Sequence, residues 1–352
     1  MARLDKQLRA FYEKYERVLI PSLLLFGFLV DIVTFRALQI NSTFLLLGAH
    51  ALFSGFAIMY SNIYDGRQTV PQNIILKYLR AGMPFLLQIS FGSLLSSSLL
   101  FYWFSGSVSA SWPIMILIVL LMASNEVFRH FYLLPKVQVG VYAFIVFSYF
   151  TLLFPFVFTS LSAWTFVSAG VTGVLFVVLF TLVLAYFTPH IRKQRTQILF
   201  AVAAVFISMN ALYFLNIIPP IPLSIRDAGM YEDIVVRNGG YELVGQPESL
   251  LASLIPGQKI RAGSAGRVYA YTAIFAPTNL STVIYHEWQF YDADERKWVT
   301  QSRLSFPMVG GRSAGYRGYT YKSNLAPGRW RVSIETERGQ VLGRVPFTVS
   351  AP

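Results

Sequence analysis

One stretch constrains the fold of this chain more than any other: Gln197–Pro222, QILFAVAAVFISMNALYFLNIIPPIP. From Ile198 to Ile218 it carries no charge, and at the helical rise per residue that run reaches about 30 Å, the thickness of a bilayer's hydrocarbon core. His190–Arg195, HIRKQR, lies just upstream and supplies the cationic cluster that resists translocation. Pro219, Pro220 and Pro222 follow, and they end a helix and favour a short extended connector. Long apolar runs precede this stretch, whereas residues beyond it have a soluble, strand-like composition.

Six further runs of the same kind predict seven crossings in all: Val18–Phe35, Phe44–Tyr64, Met83–Phe104, Trp112–Phe131, Val139–Phe158, Trp164–Phe187 and Gln197–Ile218. The loops provide an independent test of that count. Arg3, Lys6, Arg9, Lys14 and Arg17 precede the first run, and Arg67, Lys77 and Arg80 follow the second. Arg129 and Lys136 follow the fourth, and Arg192, Lys193 and Arg195 the sixth. The alternate loops hold Arg36 and two uncharged segments, Ser105–Ser111 and Thr159–Ala163. This alternation implies a cytoplasmic N-terminus. After an odd number of crossings the C-terminal domain is expected outside, in the periplasm of a bacterial inner membrane. Met1–Arg17, with Leu4, Leu8, Phe11 and Tyr12 at helical spacing, reads as an amphipathic helix on the cytoplasmic face rather than a removable signal peptide.

The net charge of +12 does not point to nucleic acid. The basic residues of the apolar half sit in loops where topology requires them, and no recognition module accompanies the charge. The chain has no cysteine, which excludes disulfides, thiolate catalysis and Cys-ligated metals. No cofactor or metal site is expected.

Beyond a mixed segment, Arg226–Leu250, strand-like runs appear at Arg267–Phe275, Thr282–Tyr291, Trp298–Leu304, Gly315–Lys322, Arg329–Thr336 and Val341–Val349. Turn residues separate them, which predicts an all-β, immunoglobulin-like antiparallel sandwich. The expected organisation is therefore a cytoplasmic segment 1–17, a membrane α-helical bundle of about seven transmembrane helices over 18–218, a proline-rich exit and connector over 219–266, and a sandwich over 267–352.

VYAYTAIF (Val268–Phe275), YHEWQF (Tyr285–Phe290), GYTYKS (Gly318–Ser323) and Pro327–Val349, with its Gly-x-Trp-Arg-Val run, resemble the DUF2914 family. The resemblance covers about the last ninety residues. The preceding membrane region resembles the DUF5924 arrangement often joined to it. The family name declares an uncharacterised function, so the resemblance implies an architecture and supplies no catalytic residues.

Three groups are candidates for chemistry. Asn125, Glu126, Arg129 and His130 close the fourth run, where Glu126 lies one turn from both basic residues. Asp31, His50, Gln88 and Asn210 are further polar groups in apolar runs, which suit either a polar pathway or helix–helix hydrogen bonds. His286 with Glu287, Asp292, Asp294 and Glu295 lacks a second histidine at ligand spacing, and His286 shares its strand face with Trp288 and Phe290, so a packed histidine is expected. The aromatic and basic set Tyr316, Arg317, Tyr319, Tyr321, Lys322, Arg329 and Arg331 suits an anionic glycan, a lipid headgroup or a protein partner. No nucleophile–base arrangement is found. The leading expectation is a non-enzymatic inner-membrane protein whose periplasmic sandwich binds an envelope component. The alternative is a bundle that transports or processes a lipid-linked substrate beneath a sandwich cap.

Overall fold

A computed structural model of the chain describes residues 40–66, 73–128, 131, 134–237, 240–245, 258–260 and 266–350. Six helices among them are long and apolar enough to cross a membrane: α1 (Ile40–Asp65), α2 (Ile74–Ser105), α3 (Val108–Val127), α4 (Pro135–Phe158), α5 (Ala163–Phe187) and α6 (Pro189–Phe214). Seven crossings were expected; the first, Val18–Phe35, and the amphipathic segment 1–17 lie outside the described residues.

All six helices begin before the expected apolar runs, α2 and α6 by the most, because hydropathy alone does not set helix ends. The Asn73 side chain accepts from the Ile75 N–H at 2.9 Å, so α2 takes in Lys77 and Arg80. Arg80 then pairs with Asp65 of α1 at 2.5 Å. The N–H groups of Ile191 and Arg192 donate to the Thr188 carbonyl, and Pro189 occupies the first helical position, where its missing N–H costs nothing. HIRKQR is therefore the opening of α6. Its Arg192 reaches back to the carbonyls of Ala185 and Tyr186 at the C-terminus of α5. At its other end α6 stops before the prolines: Asn216 takes φ 56° and the Ile217 N–H returns to the Leu212 carbonyl.

Polar side chains tie α1 to α4. Tyr142 donates to the Ala51 carbonyl at 3.0 Å, Tyr149 to the Phe44 carbonyl at 3.2 Å, and Asn62 to Gln138 Oε1 at 2.9 Å. Gly48 and Gly55 make this approach feasible, since a Cβ at either would lie 2.6 Å from a tyrosine hydroxyl.

The C-terminal region is built of antiparallel sheets. A three-stranded sheet has the order β1 (Ser224–Tyr231), β5 (Arg267–Phe275), β8 (Tyr316–Ser323). A five-stranded sheet runs β4 (Gln258–Ile260), β10 (Val341–Val349), β9 (Gly328–Thr336), β6 (Ser281–Asp292), β7 (Lys297–Val309). The β4–β10 pair is parallel, a departure from the all-antiparallel expectation. β2 (Asp233–Arg237) and β3 (Gly240–Val244) form a separate hairpin. Both sheets contribute to shared cores. Val268, Ala270, Trp288, Trp330, Val332 and Phe347 form one cluster, and Leu223, Ile274, Ile284, Met308, Ile334 and Leu342 another. Segment 219–266, read from sequence as exit and connector, thus supplies four strands. Ser224–Tyr231 hides its strand character because Arg226, Asp227 and Gly229 break the apolar alternation, while its backbone pairs along β5 from end to end.

The chain divides into two compact units. One holds the helices up to Phe101, with Pro113–Leu153 and Phe166–Ala211. The other joins Tyr102–Trp112, Phe154–Thr165 and Leu212–Pro352. The two uncharged loops therefore belong to the same unit as the strands. Within it the Ser107 N–H donates to the Val341 carbonyl at 3.4 Å, Arg344 donates to Ser109 Oγ at 2.5 Å, and Leu161 packs on the second core cluster. Gln340 donates to the Ile218 carbonyl at 3.0 Å, which fastens the proline segment to β10.

Candidate functional site

The polar candidates of the apolar helices resolve into local bonds. Gln88 of α2 donates to the Asn125 carbonyl at 3.1 Å, and Asn125 of α3 returns a bond to the Gln88 carbonyl at 3.0 Å, a reciprocal bracket between two helices. Asn210 donates to the Phe206 carbonyl of its own helix. His50 lends its carbonyl to Ser54, while its Nδ1 is buried with no hydrogen-bond partner among the described residues. Asp31, Arg129 and His130 lie outside the described residues, as does the side chain of Glu126, and so does the expected pairing of Glu126. A cavity of about 160 Å³ beside α1 and α2 is lined by Phe56, Met59, Tyr60, Ile63, Tyr64 and Leu76 and is apolar.

His286 points into the sandwich and is fully buried. Its Nδ1 lies 2.9 Å from Thr320 Oγ1 and its Nε2 3.1 Å from Thr272 Oγ1. Trp288 Nε1 donates to Thr320 Oγ1 at 3.1 Å, and Thr272 Oγ1 faces the Gly318 carbonyl at 3.5 Å. One assignment satisfies every group: Trp288 donates to Thr320, Thr320 to Nδ1, Nε2–H to Thr272, and Thr272 to Gly318. That makes His286 neutral. Burial holds its pKa at about 3, well below the usual imidazole value. Asp292 accepts from the N–H groups of Asp294 and Glu295, closing the β6–β7 hairpin, and Glu295 pairs with Lys297. Among the described residues no group of three or more His, Asp and Glu side chains is placed to hold a metal.

The aromatic–basic set divides between two faces. In β5, Val268, Ala270, Thr272 and Ile274 point inward, which leaves Tyr269 and Tyr271 on the outer side. The register pairs Tyr269 with Tyr321 and Tyr271 with Tyr319, so Arg317, Tyr319 and Tyr321 join them there. Tyr231 of β1 completes the row opposite Tyr269. The β2–β3 hairpin covers part of this face: Ile234 and Leu243 pack with Tyr231 and Tyr271, which are only 4% and 5% exposed. Rings touch in succession, Tyr231 to Tyr271 at 6.0 Å, Tyr271 to Tyr241 at 5.9 Å, Tyr241 to Tyr319 at 5.8 Å, Tyr319 to Tyr269 at 6.1 Å and Tyr269 to Tyr321 at 5.6 Å. The row emerges from beneath the hairpin at Tyr319, 36% exposed, and Tyr321, 47% exposed. The Arg267 guanidinium stands 5.0 Å over the Tyr321 ring. Burial raises the Tyr271 phenol pKa, and the nearby Arg317 charge opposes that rise.

Tyr316 is elsewhere: it leans on the second core cluster with Arg312 over its ring. Arg329 and Arg331 belong to the outer face of the five-stranded sheet. There Arg303 lies over Tyr285, Arg329 over Tyr291 and Arg331 over Trp298, at 3.8, 4.7 and 4.4 Å. Arg331 Nε donates to Gln289 at 2.6 Å, and Glu287 accepts from Gln289 and Thr300. Beside them Glu335 is held up at about pH 7, first by burial and then by the charge and hydrogen bond of Glu287.

Tyr231, Tyr241, Tyr269 and Tyr271 were not among the candidates read from sequence. The period-two spacing of Tyr269 with Tyr271, matching Tyr319 with Tyr321, is the signal that places four of these rings on one face.

Residues 281–349 match the family model described as "Protein of unknown function (DUF2914)". The match spans β6 to β10. No curated protein matches the chain. Five solved chains match. One is the Pseudomonas fluorescens alkylpurine DNA glycosylase AlkC bound to DNA containing an abasic site analog, 10% identical, covering 86% of this chain and 99% of that one with a TM-score of 0.23. At that TM-score the likeness carries no argument about fold or function.

Proposed function

We propose that this is a bacterial inner-membrane protein with a cytoplasmic N-terminus, whose periplasmic β-sandwich binds an envelope component through its tyrosine face. Its sandwich is read as immunoglobulin-like and its helical part as a DUF5924-like bundle of seven crossings. The grouping of both uncharged loops with the strands in one unit supports the topology, since the cationic loops belong to the opposite helix ends. Alkaline phosphatase fused after Pro352 is expected to be active, and an inactive fusion would overturn the periplasmic assignment.

The observation that carries the binding role is the open end of the tyrosine row. Rings with polar tips, held by neighbours and half exposed, are a recurrent contact surface because they bind with little loss of side-chain freedom. The full-length protein in nanodiscs, presented with isolated cell-wall sacculi, lipopolysaccharide and phospholipid vesicles, is expected to retain one of them. Tyr319→Ala with Tyr321→Ala should abolish that retention; retention that survives both substitutions sinks the assignment. The transport alternative needs a polar pathway, whereas Gln88, Asn125 and Asn210 direct their amides at backbone carbonyls, an arrangement that favours helix packing.

A further inference from the structure

We infer that the open part of the tyrosine face is a stacking site for the sugar rings of an acidic glycan; this deepens, and rests on, the reading of that face as the binding surface. The floor is Tyr269, Tyr319 and Tyr321, with Tyr241 continuing it beneath the hairpin. Val236, paired with Tyr241 across the hairpin and 58% exposed, adds an apolar contact on the same side.

A pyranose ring has an apolar face of C–H groups and a rim of hydroxyls. Phenols complement both features, since the ring meets the C–H face while the hydroxyl meets the rim. Among the described residues no group hydrogen-bonds the hydroxyls of Tyr241, Tyr269, Tyr319 or Tyr321, which leaves each free to exchange water for a sugar hydroxyl. An acyl chain or an aliphatic peptide face would bury those hydroxyls without partners, and each such burial opposes binding.

Charge selects among glycans. Arg267 stands over Tyr321 at one end of the floor, and Arg317 shares the face beside Tyr319. The carboxylate in register on this side is Asp227, two strands away across Ala273. Arg237 and Glu242 on the hairpin pair with each other. Two guanidiniums flanking an aromatic floor suit a sugar bearing carboxylate or phosphate, with which they form charge-assisted bonds.

The test uses the full-length protein in phosphatidylcholine nanodiscs, titrated calorimetrically with an alginate hexasaccharide, with uncharged maltohexaose and with phosphatidylglycerol vesicles. Alginate is expected to bind best. Tyr319→Ala and Tyr321→Ala should each weaken it about tenfold, and Tyr321→Phe, which keeps the ring, by less. Arg267→Gln should weaken alginate several-fold and remove much of its salt dependence while leaving maltohexaose unchanged. Maltohexaose binding as tightly as alginate overturns the acidic preference. Tyrosine-dependent binding of the vesicles without either glycan overturns the glycan assignment and leaves the binding face standing as a lipid-headgroup site. Glycan binding indifferent to both tyrosine substitutions overturns the inferred site. Loss of tyrosine-dependent retention of every envelope fraction as well overturns the binding face itself.

Discussion

On the outer side of the β1–β5–β8 sheet tyrosines touch tyrosines, whereas on the outer side of the β6–β7–β9 strands each of three aromatic rings lies under a guanidinium. The residue types are nearly the same. What differs is how many π-faces already carry a guanidinium: all three of those rings do, whereas among the described residues of the tyrosine row Tyr321 alone does, with Arg267 at 5.0 Å. Arg331 illustrates the closed arrangement: its ring contact with Trp298 and its bond to Gln289 hold it, and burial with the neighbouring Arg344 charge lowers its pKa. Aromatic and basic composition alone therefore does not mark a binding surface. An arginine satisfied by its own sheet contributes stability, and a ring left uncovered is available for a ligand.

The largest effect should come from the layer that both faces rest on. His286→Ala leaves the Thr320 hydroxyl without its acceptor and the Thr272 hydroxyl without its donor around a cavity, and a loss of about 3 kcal/mol is expected in thermal unfolding of the β-rich region followed by tryptophan fluorescence. Retained stability there would show that the two sheets are held by apolar packing alone. Acid should act on the same residue. Its folded pKa of about 3 lies below the ordinary 6.5, so its contribution is full above pH 6.5 and disappears as pH falls toward 3.

Next in size, Arg331→Ala should lower stability by about 1–2 kcal/mol while leaving ligand retention intact. Tyr319→Ala and Tyr321→Ala should do the reverse. Should Arg331→Ala abolish retention at unchanged stability, the contrast between closed and open faces is broken. A smaller effect belongs to the carboxyl pair. Glu335 is raised from 4.5 to about 7, so it favours the folded state fully below pH 4.5 and that contribution is lost as pH rises through 7. Glu335→Gln should flatten this part of the stability profile, and an unchanged slope would remove the shared proton from the account. The smallest change is expected from Tyr321→Ala on folding itself, within about 0.5 kcal/mol by the same unfolding measurement, because the ring is half exposed.

Much of this arrangement is written in the sequence at short range. Apolar length marks α1 to α6, and alternation between turn residues marks β5, β6, β8, β9 and β10 to within a residue at each end, while β7 runs past the expected Leu304 to Val309. Helix starts were less visible, since α2 and α6 begin among charges, α2 behind the Asn73 cap and α6 with Pro189 at its first position. β1 to β3 were hidden because edge and hairpin strands need apolar side chains on part of one face only. Tyr231 and Tyr241 were lost with them. Tyr321 and Arg329 are close in the chain, yet Asn324 at φ 55° and Gly328 at φ 140° mark the passage from one sheet to the other. Pairing partners decide that separation: β8 joins β5, whereas β9 lies between β6 upstream and β10 immediately downstream.

The bonds running from Trp288 through Thr320, His286 and Thr272 to Gly318 all point the same way, with each hydroxyl giving one proton and receiving at least one. Grease between two layers tolerates sliding by a whole repeat, since one aliphatic ridge resembles the next. A polarised thread does not, because after such a slip donor would confront donor. The buried histidine thus acts as a key that admits a single alignment of the layers.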